Sequence, residues 1–378
     1  MKFPEQKSSI SMSNLPLGND ESFRSVVETV ASDGFDSSYN RTSISTTGLC
    51  FIPSFYRLDG GIVPMISGKA VNKKPLIVEL EWYLRGETNI KFLSDNGVKI
   101  WDQWADENGD LGPVYGKQWR KWRDTRVVTS EQYELIKDRG YTIEGTLIDG
   151  RLAITREIDQ LQRIVDNLRH DPENRRSIMS AWNVGELEDM NLPPCHFAFG
   201  VWSREIDPIN RFVMAFRIGI NHIDHDMDSK YARFSLAVKP VMESNSDSYD
   251  RFVSELTHEW LDHYQIPRRV LNTGMAQRSV DTFVGMPFNI AGYGILTHYL
   301  AHITDHMAGN FTHFGFDVHL YNNHEDGVTE YLDREDIAES NPTVSFPESW
   351  KELSDFNWRG IEIHGYKSHP WIKVPVTK

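Results

Sequence analysis

The spacing of apolar positions marks the helices first. Phe23, Val26, Val27 and Val30 recur at i, i+3, i+4 and i+7, which predicts a helix over residues 22–31. Residues 75–86, PLIVELEWYLRG, are an almost unbroken apolar run opened by proline and closed by glycine, as in a buried helix. Residues 129–140 (TSEQYELIKDRG) and 157–172 (EIDQLQRIVDNLRHDP) read as two more helices, the second with heptad-like spacing. Residues 288–303, FNIAGYGILTHYLAHI, predict a strongly apolar helix. Strands and turns are expected up to about residue 70, where LDGG marks a turn, and again over residues 197–237. Residues 317–321, DVHLY, read as a strand. Residues 244–264 are charged and predict a loop followed by a helix, and the chain ends in an extended tail containing proline. Residues 100–122 are dense in Trp, Gly and Asp and suit a shaped loop. Long helices mixed with strands that do not alternate regularly with them give an α+β class.

The polar flanks refine this picture. Residues 1–21 are Ser-rich and polar and are expected to form a flexible arm, leaving residues 22–378 as one catalytic-size domain. The formal charge of −14 argues against a general nucleic-acid coat, but leaves room for a local basic pocket. No apolar run is long enough to span a bilayer, and the N-terminus lacks the apolar core of a signal peptide. With only Cys50 and Cys195, an intracellular, reduced protein in the cytoplasm is the expectation.

Chemistry concentrates in a few places. Cys195 stands in NLPPCHFAFG, between a rigid Pro-Pro approach and His196, where a thiolate nucleophile is conceivable. Taken alone, a cysteine packed as a small hydrophobe is the commoner outcome. Arg41, the pair Arg175–Arg176 and Arg278 offer forked donors for a phosphate, with solvated surface charge as the alternative for each. His298, His302 and His306 at i, i+4 and i+8, and the HIDHDMD run at 222–228, match no closed zinc pattern and no calcium loop, so no metal is assigned. No glycine-rich nucleotide loop is present.

Several long motifs in series resemble one family. LGPVYGKQW (111–119), DPENRRSIMSAWNVGELEDMNLPPCH (171–196), QRSVDTFVGMPFNIAGYGILTHYLAH (277–302), FDVHLYNNH (316–324) and GYKSHPWIKVPV (365–376) are similar to the thymidylate synthases and pyrimidine-nucleotide hydroxymethylases. The resemblance runs from about residue 22, in order. It implies a large mixed sheet with helices, a homodimer packed sheet to sheet, dUMP as substrate and 5,10-methylenetetrahydrofolate as co-substrate. No metal, membrane or nucleic acid is expected to take part.

The resemblance also assigns roles. Cys195 matches the nucleophile that adds to C6 of the uracil, Glu79 a proton-moving acid, and Tyr115 a group that helps remove the C5 proton. Asn289 matches the reader of the base edge. Asp stands there in relatives that act on cytosine, so Asn289 implies dUMP. Arg41, Gln277, Arg278 and Ser279 match substrate ligands within one subunit, and Arg175 and Arg176 match those reaching across from the partner. His319 and Tyr321 match groups on the sugar hydroxyl. For the folate, Asp281 matches the pterin carboxylate, Trp101, Leu192 and Gly285 its wall, and Lys69 a lysine near its tail.

Four departures bear on the product. A segment near 202–271 is additional, Glu81 stands where an apolar residue is usual, and the terminus is PVTK. The fourth is RTSIST at 41–46, which lacks the glycines of the usual phosphate loop, with Ala70 replacing a customary arginine after Lys69. They favour a dUMP hydroxymethylase, making 5-hydroxymethyl-dUMP for a bacteriophage that replaces thymine in its DNA. The alternatives are a thymidylate synthase making dTMP, and an inactive relative retained as a binding protein.

Overall fold

A computed structural model describes residues 18–37, 44–222, 227–243 and 246–375. Arg41 and Lys378, and most of the expected arm, lie outside them.

The centre is a six-stranded mixed sheet. Its order is Phe35–Ser37, Thr46–Arg57, Met307–Tyr321, Arg269–Asp281, His196–Glu205 and Ile178–Ser180. All neighbours are antiparallel except Arg269–Asp281 and Met307–Tyr321, which run parallel. A parallel pair needs a long crossover, and the helix Gly285–Ile303 supplies it. That helix buries Ile290, Ala291, Tyr293, Leu296, Tyr299 and Leu300 against one face of the sheet. The helix Asn19–Asp33 seals another part of the core with Phe23, Val26, Val27 and Val30, the residues whose spacing predicts it.

The helix Lys73–Leu84 starts two residues earlier than Pro75 suggests. The Asn72 side chain caps it by accepting the Lys74 N–H at 3.2 Å. Nearly every side of this helix is buried, as its unbroken apolar run requires. At about 100° per residue, Glu79 and Glu81 point to roughly opposite sides.

Two expectations are corrected. Residues 129–140 are not one helix. Ser130–Glu134 and a 3₁₀ turn at Lys137–Arg139 sit between strands Trp122–Val128 and Thr142–Thr146 of a separate three-stranded sheet completed by Leu152–Ile158. Residues 197–237 do not alternate strand and turn. Only His196–Glu205 is a strand, and Pro208–His222 and Lys230–Met242 are helices. Phe212, Ala215, Ile218, Gly219 and His222 are buried at helical spacing, and Phe212, Ala215 and Ile218 build a second small core with Phe234, Val238 and Leu261. Ser246–Ser254 and His258–His263 complete this helical unit. Residues 202–205 and 269–271, counted from the sequence with the added segment, are the ends of central strands.

Candidate active site

Three central strands bring their chemistry to one end of the sheet. His196 pairs with Gln277, Ser279 with Asp317, and Asp281 with His319. Register alone therefore gathers the segments around Cys195, Arg278 and His319. The crossover helix begins immediately beyond, carrying Gly285 and Asn289.

Cys195 is half-buried and forms no disulfide. Its backbone is clamped on two sides. Its N–H donates to Tyr115 Oη at 2.8 Å, and its carbonyl accepts the Arg278 N–H at 2.7 Å. The Arg278 guanidinium donates from Nε to Pro194 O at 3.0 Å and from Nη2 to Pro193 O at 2.8 Å. Arg278 thus fixes the approach to the thiol, and its guanidinium lies 5.6 Å from the Trp182 ring.

Tyr115 has φ 25° and ψ −88°, a conformation that costs of order 1–3 kcal/mol. The next residue must be glycine, because a Cβ on Gly116 would lie 2.6 Å from the Tyr83 carbonyl oxygen. This close approach brings Tyr115 against His196, at 4.2 Å between ring centroids, and against Tyr83, at 5.1 Å.

Glu79 lies inside this aromatic enclosure. Its Oε1 accepts Trp101 Nε1–H at 2.7 Å and Tyr83 O–H at 3.0 Å. Removal from water lifts the carboxyl from 4.5 to about 7, with the two hydrogen bonds opposing the rise. Glu79 is therefore poised to hold or release a proton near neutral pH. His196 is held neutral by burial, its imidazole lowered to about 3, and it bonds Tyr293 Oη at 2.8 Å through Nδ1. Burial also holds the Tyr83, Tyr115 and Tyr293 phenols protonated, well above their ordinary value.

Asn289 Oδ1 accepts Gln277 Nε2–H at 3.1 Å. Gln277 Oε1 in turn meets His313 Nε2 at 3.1 Å. The chain fixes both amides, leaving the Asn289 NH₂ to face a partner. His319 Nδ1 lies 3.3 Å from Asp317 Oδ1, and its ring meets Tyr321 edge to face at 5.1 Å.

A second group of the predicted residues forms a wall beside these. Trp101 is buried, and Leu192 and Asp281 are half-buried. Asp281 Oδ1 accepts the Val284 N–H at 3.0 Å. A Cβ on Gly285 would stand 3.6 Å from Asp281 Cβ and 3.8 Å from Asn289 Oδ1. Both are ordinary contact distances, so a Cβ there would sit between those two side chains.

Three predicted residues sit apart. Lys69, expected near a folate tail, is turned inward and 1 % exposed. Its Nζ donates to Phe283 O and lies 4.1 Å from the Phe283 ring centroid. Burial lowers its ammonium to about 8, against the pull of Asp281. Arg175 and Arg176 are exposed beside the edge strand Ile178–Ser180. Glu81, whose relation to the site the sequence leaves open, is buried on the far side of its helix and accepts the Trp358 N–H at 2.8 Å.

Sequence reasoning missed Tyr83, Gln118, Tyr293 and His313. Tyr83 had a usable signal, since it stands four residues after Glu79 on one helix. Gln118 donates to Pro113 O and Glu186 and so braces the loop before Tyr115. Tyr293 and His313 act through contacts that only the folded sheet creates.

A clamped cysteine, an enclosed carboxyl and a fixed amide beside an apolar wall on an α+β fold suit group transfer to a planar heterocycle. The chain belongs to the thymidylate synthase family, whose sequence profile matches residues 21–214 and 257–378. It is a one-carbon transferase of that family, in which methylenetetrahydrofolate serves as co-substrate and dUMP as acceptor. Thymidylate synthases of three strains of Coxiella burnetii, Dugway 5J108-111, RSA 331 / Henzerling II and RSA 493 / Nine Mile phase I, are each 35 % identical over 338 residues. Each match covers 89 % of this chain and 92 % of the relative. The profile passes over residues 215–256, most of the helical unit. Among the described residues no helix is long and apolar enough to cross a membrane.

Proposed function

We propose that the protein methylates C5 of dUMP and so makes dTMP. The observation that carries this reading is the enclosure of Glu79 by Trp101, Tyr83 and Tyr115, with Glu81 bonded to Trp358 away from it. A methylating enzyme must keep water from the reacting carbon, and a hydroxymethylating one must admit it. Glu81 is a departure in the sequence that favours hydroxymethylation, but its carboxylate is occupied elsewhere. The helical unit packs around Val270 and Met307, at the opposite ends of the strands that carry Gln277 and His319. Seven residues separate Val270 from Gln277, roughly 23 Å of strand. We read that unit as an addition to the catalytic core, remote from the product-determining step.

In this mechanism Cys195 Sγ adds to C6 of the uracil and raises electron density at C5. The C6–S bond breaks again when the C5 substituent is complete. Glu79, with a proton available near pH 7, serves O4 of the base through ordered water. Tyr115, a neutral phenol whose oxygen accepts the Cys195 N–H, helps remove the C5 proton by orienting the water that takes it. The Asn289 amide reads the N3–O4 edge. Arg278 and Ser279, together with Arg41, hold the phosphate, and His319 and Tyr321 hold the sugar hydroxyl. Bound against Trp101, Leu192 and Gly285, with Asp281 on its pterin, the folate supplies the carbon and the hydride.

The open face of the central sheet supports a homodimer. Phe51, Phe55, Phe314 and Trp202 are exposed on it, and Phe51 stacks on Phe314 at 6.3 Å. A contiguous apolar patch of this kind marks an interface. Packed sheet to sheet, two copies would cover it and carry Arg175 and Arg176 to each other's phosphate.

Hydroxymethylation is the second reading, favoured by Lys69. With that ammonium turned inward and Ala70 beside it, the folate tail has fewer cations to hold it. Early loss of the folate would open the C5 carbon to water. A product assay separates the two readings: dUMP and methylenetetrahydrofolate are incubated and the nucleotides weighed. We expect dTMP with dihydrofolate in step; 5-hydroxymethyl-dUMP with tetrahydrofolate would overturn methylation. A stable adduct with 5-fluoro-dUMP and folate is expected on Cys195, and its absence from folded protein would favour a binding role.

A further inference from the structure

Away from Cys195, the helical unit and the core enclose a second cavity of about 470 Å³. That volume falls within the range of small-molecule sites. One side belongs to the helical unit, through Ile218, His222 and Lys230. The other belongs to the core, through the last turns of the crossover helix at His298, Ala301 and His302, and through Phe346 and Lys351. The unit that the family profile passes over thus completes the cavity.

The walls divide into two halves. Ile218, Ala301, Met307, Val344 and Phe346 make an apolar half. Lys230 and Lys351 line the other, together with His302, whose Nε2 lies 3.2 Å from Pro347 O. Burial, and after it the Lys351 charge, hold His302 below the ordinary imidazole value. Lys351 also adds to the lowering of the partly buried Lys230 ammonium, which burial begins. The acids at this end compensate weakly. Lys230 Nζ stands 3.5 Å from an Asp305 carboxylate that is itself 78 % exposed, longer than the 2.7–2.9 Å usual for a charge-assisted bond. Glu348 is exposed. An ammonium carries three N–H donors, so Lys230 can keep its contact with Asp305 and still serve the cavity. Crowded cations in a half-dry setting gain most from an anion with several acceptor oxygens.

We propose that this cavity is a second ligand site, which takes a small organic phosphate: the phosphoryl group lies between Lys230, Lys351 and His302, and a flat apolar body lies toward Phe346 and Val344. The site is separate from the dUMP pocket. About nine residues of the crossover helix lie between His298 and Asn289, close to 14 Å.

Phenyl phosphate is a suitable probe, and calorimetry on the full chain reads its binding. Because a phosphate can also enter the catalytic pocket, two variants are crossed. Lys230→Met should weaken binding at least tenfold, whereas Arg278→Ala should leave it unchanged. Lys351→Met, at an exposed position that folding does not need, should weaken it several-fold and guards against a misfolded Lys230 variant. Inorganic phosphate should bind at least tenfold more weakly than phenyl phosphate. Binding lost in Arg278→Ala and kept in Lys230→Met would overturn the proposal by assigning the probe to the catalytic pocket. Absence of binding to the unaltered protein at millimolar probe would overturn it too. Equal affinity for inorganic and phenyl phosphate would remove the apolar half and with it the ligand class. None of these outcomes depends on which product the enzyme makes.

Discussion

Glu79 holds a carboxyl that the fold itself disfavours in its charged form. Its folded value of about 7 exceeds the ordinary 4.5. Such a group stabilises the fold below the ordinary value, and that contribution is lost as pH rises through 7. The difference corresponds to about 3 kcal/mol. Glu79→Gln can keep the bonds from Trp101 and Tyr83 through its amide oxygen. It should therefore raise stability at pH 8 by up to about that amount and give no advantage near pH 4, while turnover falls by about 10²-fold or more. Denaturant melts at the two pH values, set beside a rate assay, check both halves. A loss of stability at pH 8 would contradict the desolvated carboxyl. Asn289 admits a sharper specificity test. Asp at that position would offer acceptors where the amide offers NH₂, so Asn289→Asp should shift preference from dUMP toward dCMP, measured as the ratio of kcat/KM. Glu81 is a residue whose meaning changed on folding. In sequence it stands where an apolar residue is usual and favours hydroxymethylation, but its partner is the Trp358 N–H. Glu81→Leu should cost about 1 kcal/mol through a half-buried N–H left without its partner and leave the product unchanged. A shift from dTMP toward the hydroxymethyl nucleotide would reopen the role that its sequence position suggested.

Among the elements, legibility followed the strength of the apolar period. The helices Asn19–Asp33, Gln160–His170 and Gly285–Ile303 were readable because each buries a continuous stripe or run. The strand Met307–Tyr321 was seen only at its last five residues, since its earlier part mixes His, Asn and Gly with aromatics. Residues 208–237 were misread as strands and turns because Phe, Val and Ile favour strands locally, whereas their burial follows a helical period set by packing on Val270 and Met307. The three-stranded sheet of residues 122–158 was invisible because its strands are largely exposed and polar. The helical unit depends on a buried arginine that no periodicity reveals. Arg211 is fully buried and donates to the carbonyls of Pro267, His258 and Ile266 as well as to Asp262. Arg211→Leu would strand these acceptors together and should cost about 3 kcal/mol or more. Hydrogen exchange should then accelerate across residues 208–263 and leave residues 277–281 protected, with turnover retained. Acceleration that spread to the strand around Gln277 would show that the unit and the catalytic core unfold as one.

For the whole molecule, the candidate site was legible wherever a residue lies inside a long motif, and illegible wherever its meaning depends on a neighbour brought by the fold. Cys195, Tyr115 and Asn289 are of the first kind. Lys69, turned against Phe283, is of the second; the exposed pair Arg175–Arg176 lies inside a motif, yet its proposed role needs a second copy of the chain. If two copies pack through the face bearing Phe51 and Phe314, every active site takes these arginines from its partner. Complementation follows from that geometry. A protein carrying Arg175→Ala and Arg176→Ala and a protein carrying Cys195→Ala should each be nearly inactive. In a mixed dimer one site would carry both defects and the other neither. Equal mixing after reversible dissociation gives mixed dimers as about half of the population, so about a quarter of the normal activity should return. Phe314→Glu in both proteins would place charge on the shared face, and should yield monomers by sedimentation and abolish the recovery. If activity does not return although mixed dimers form, the arginines do not serve the neighbouring site, and the phosphate must be held by Arg278, Ser279 and Arg41 of one chain alone.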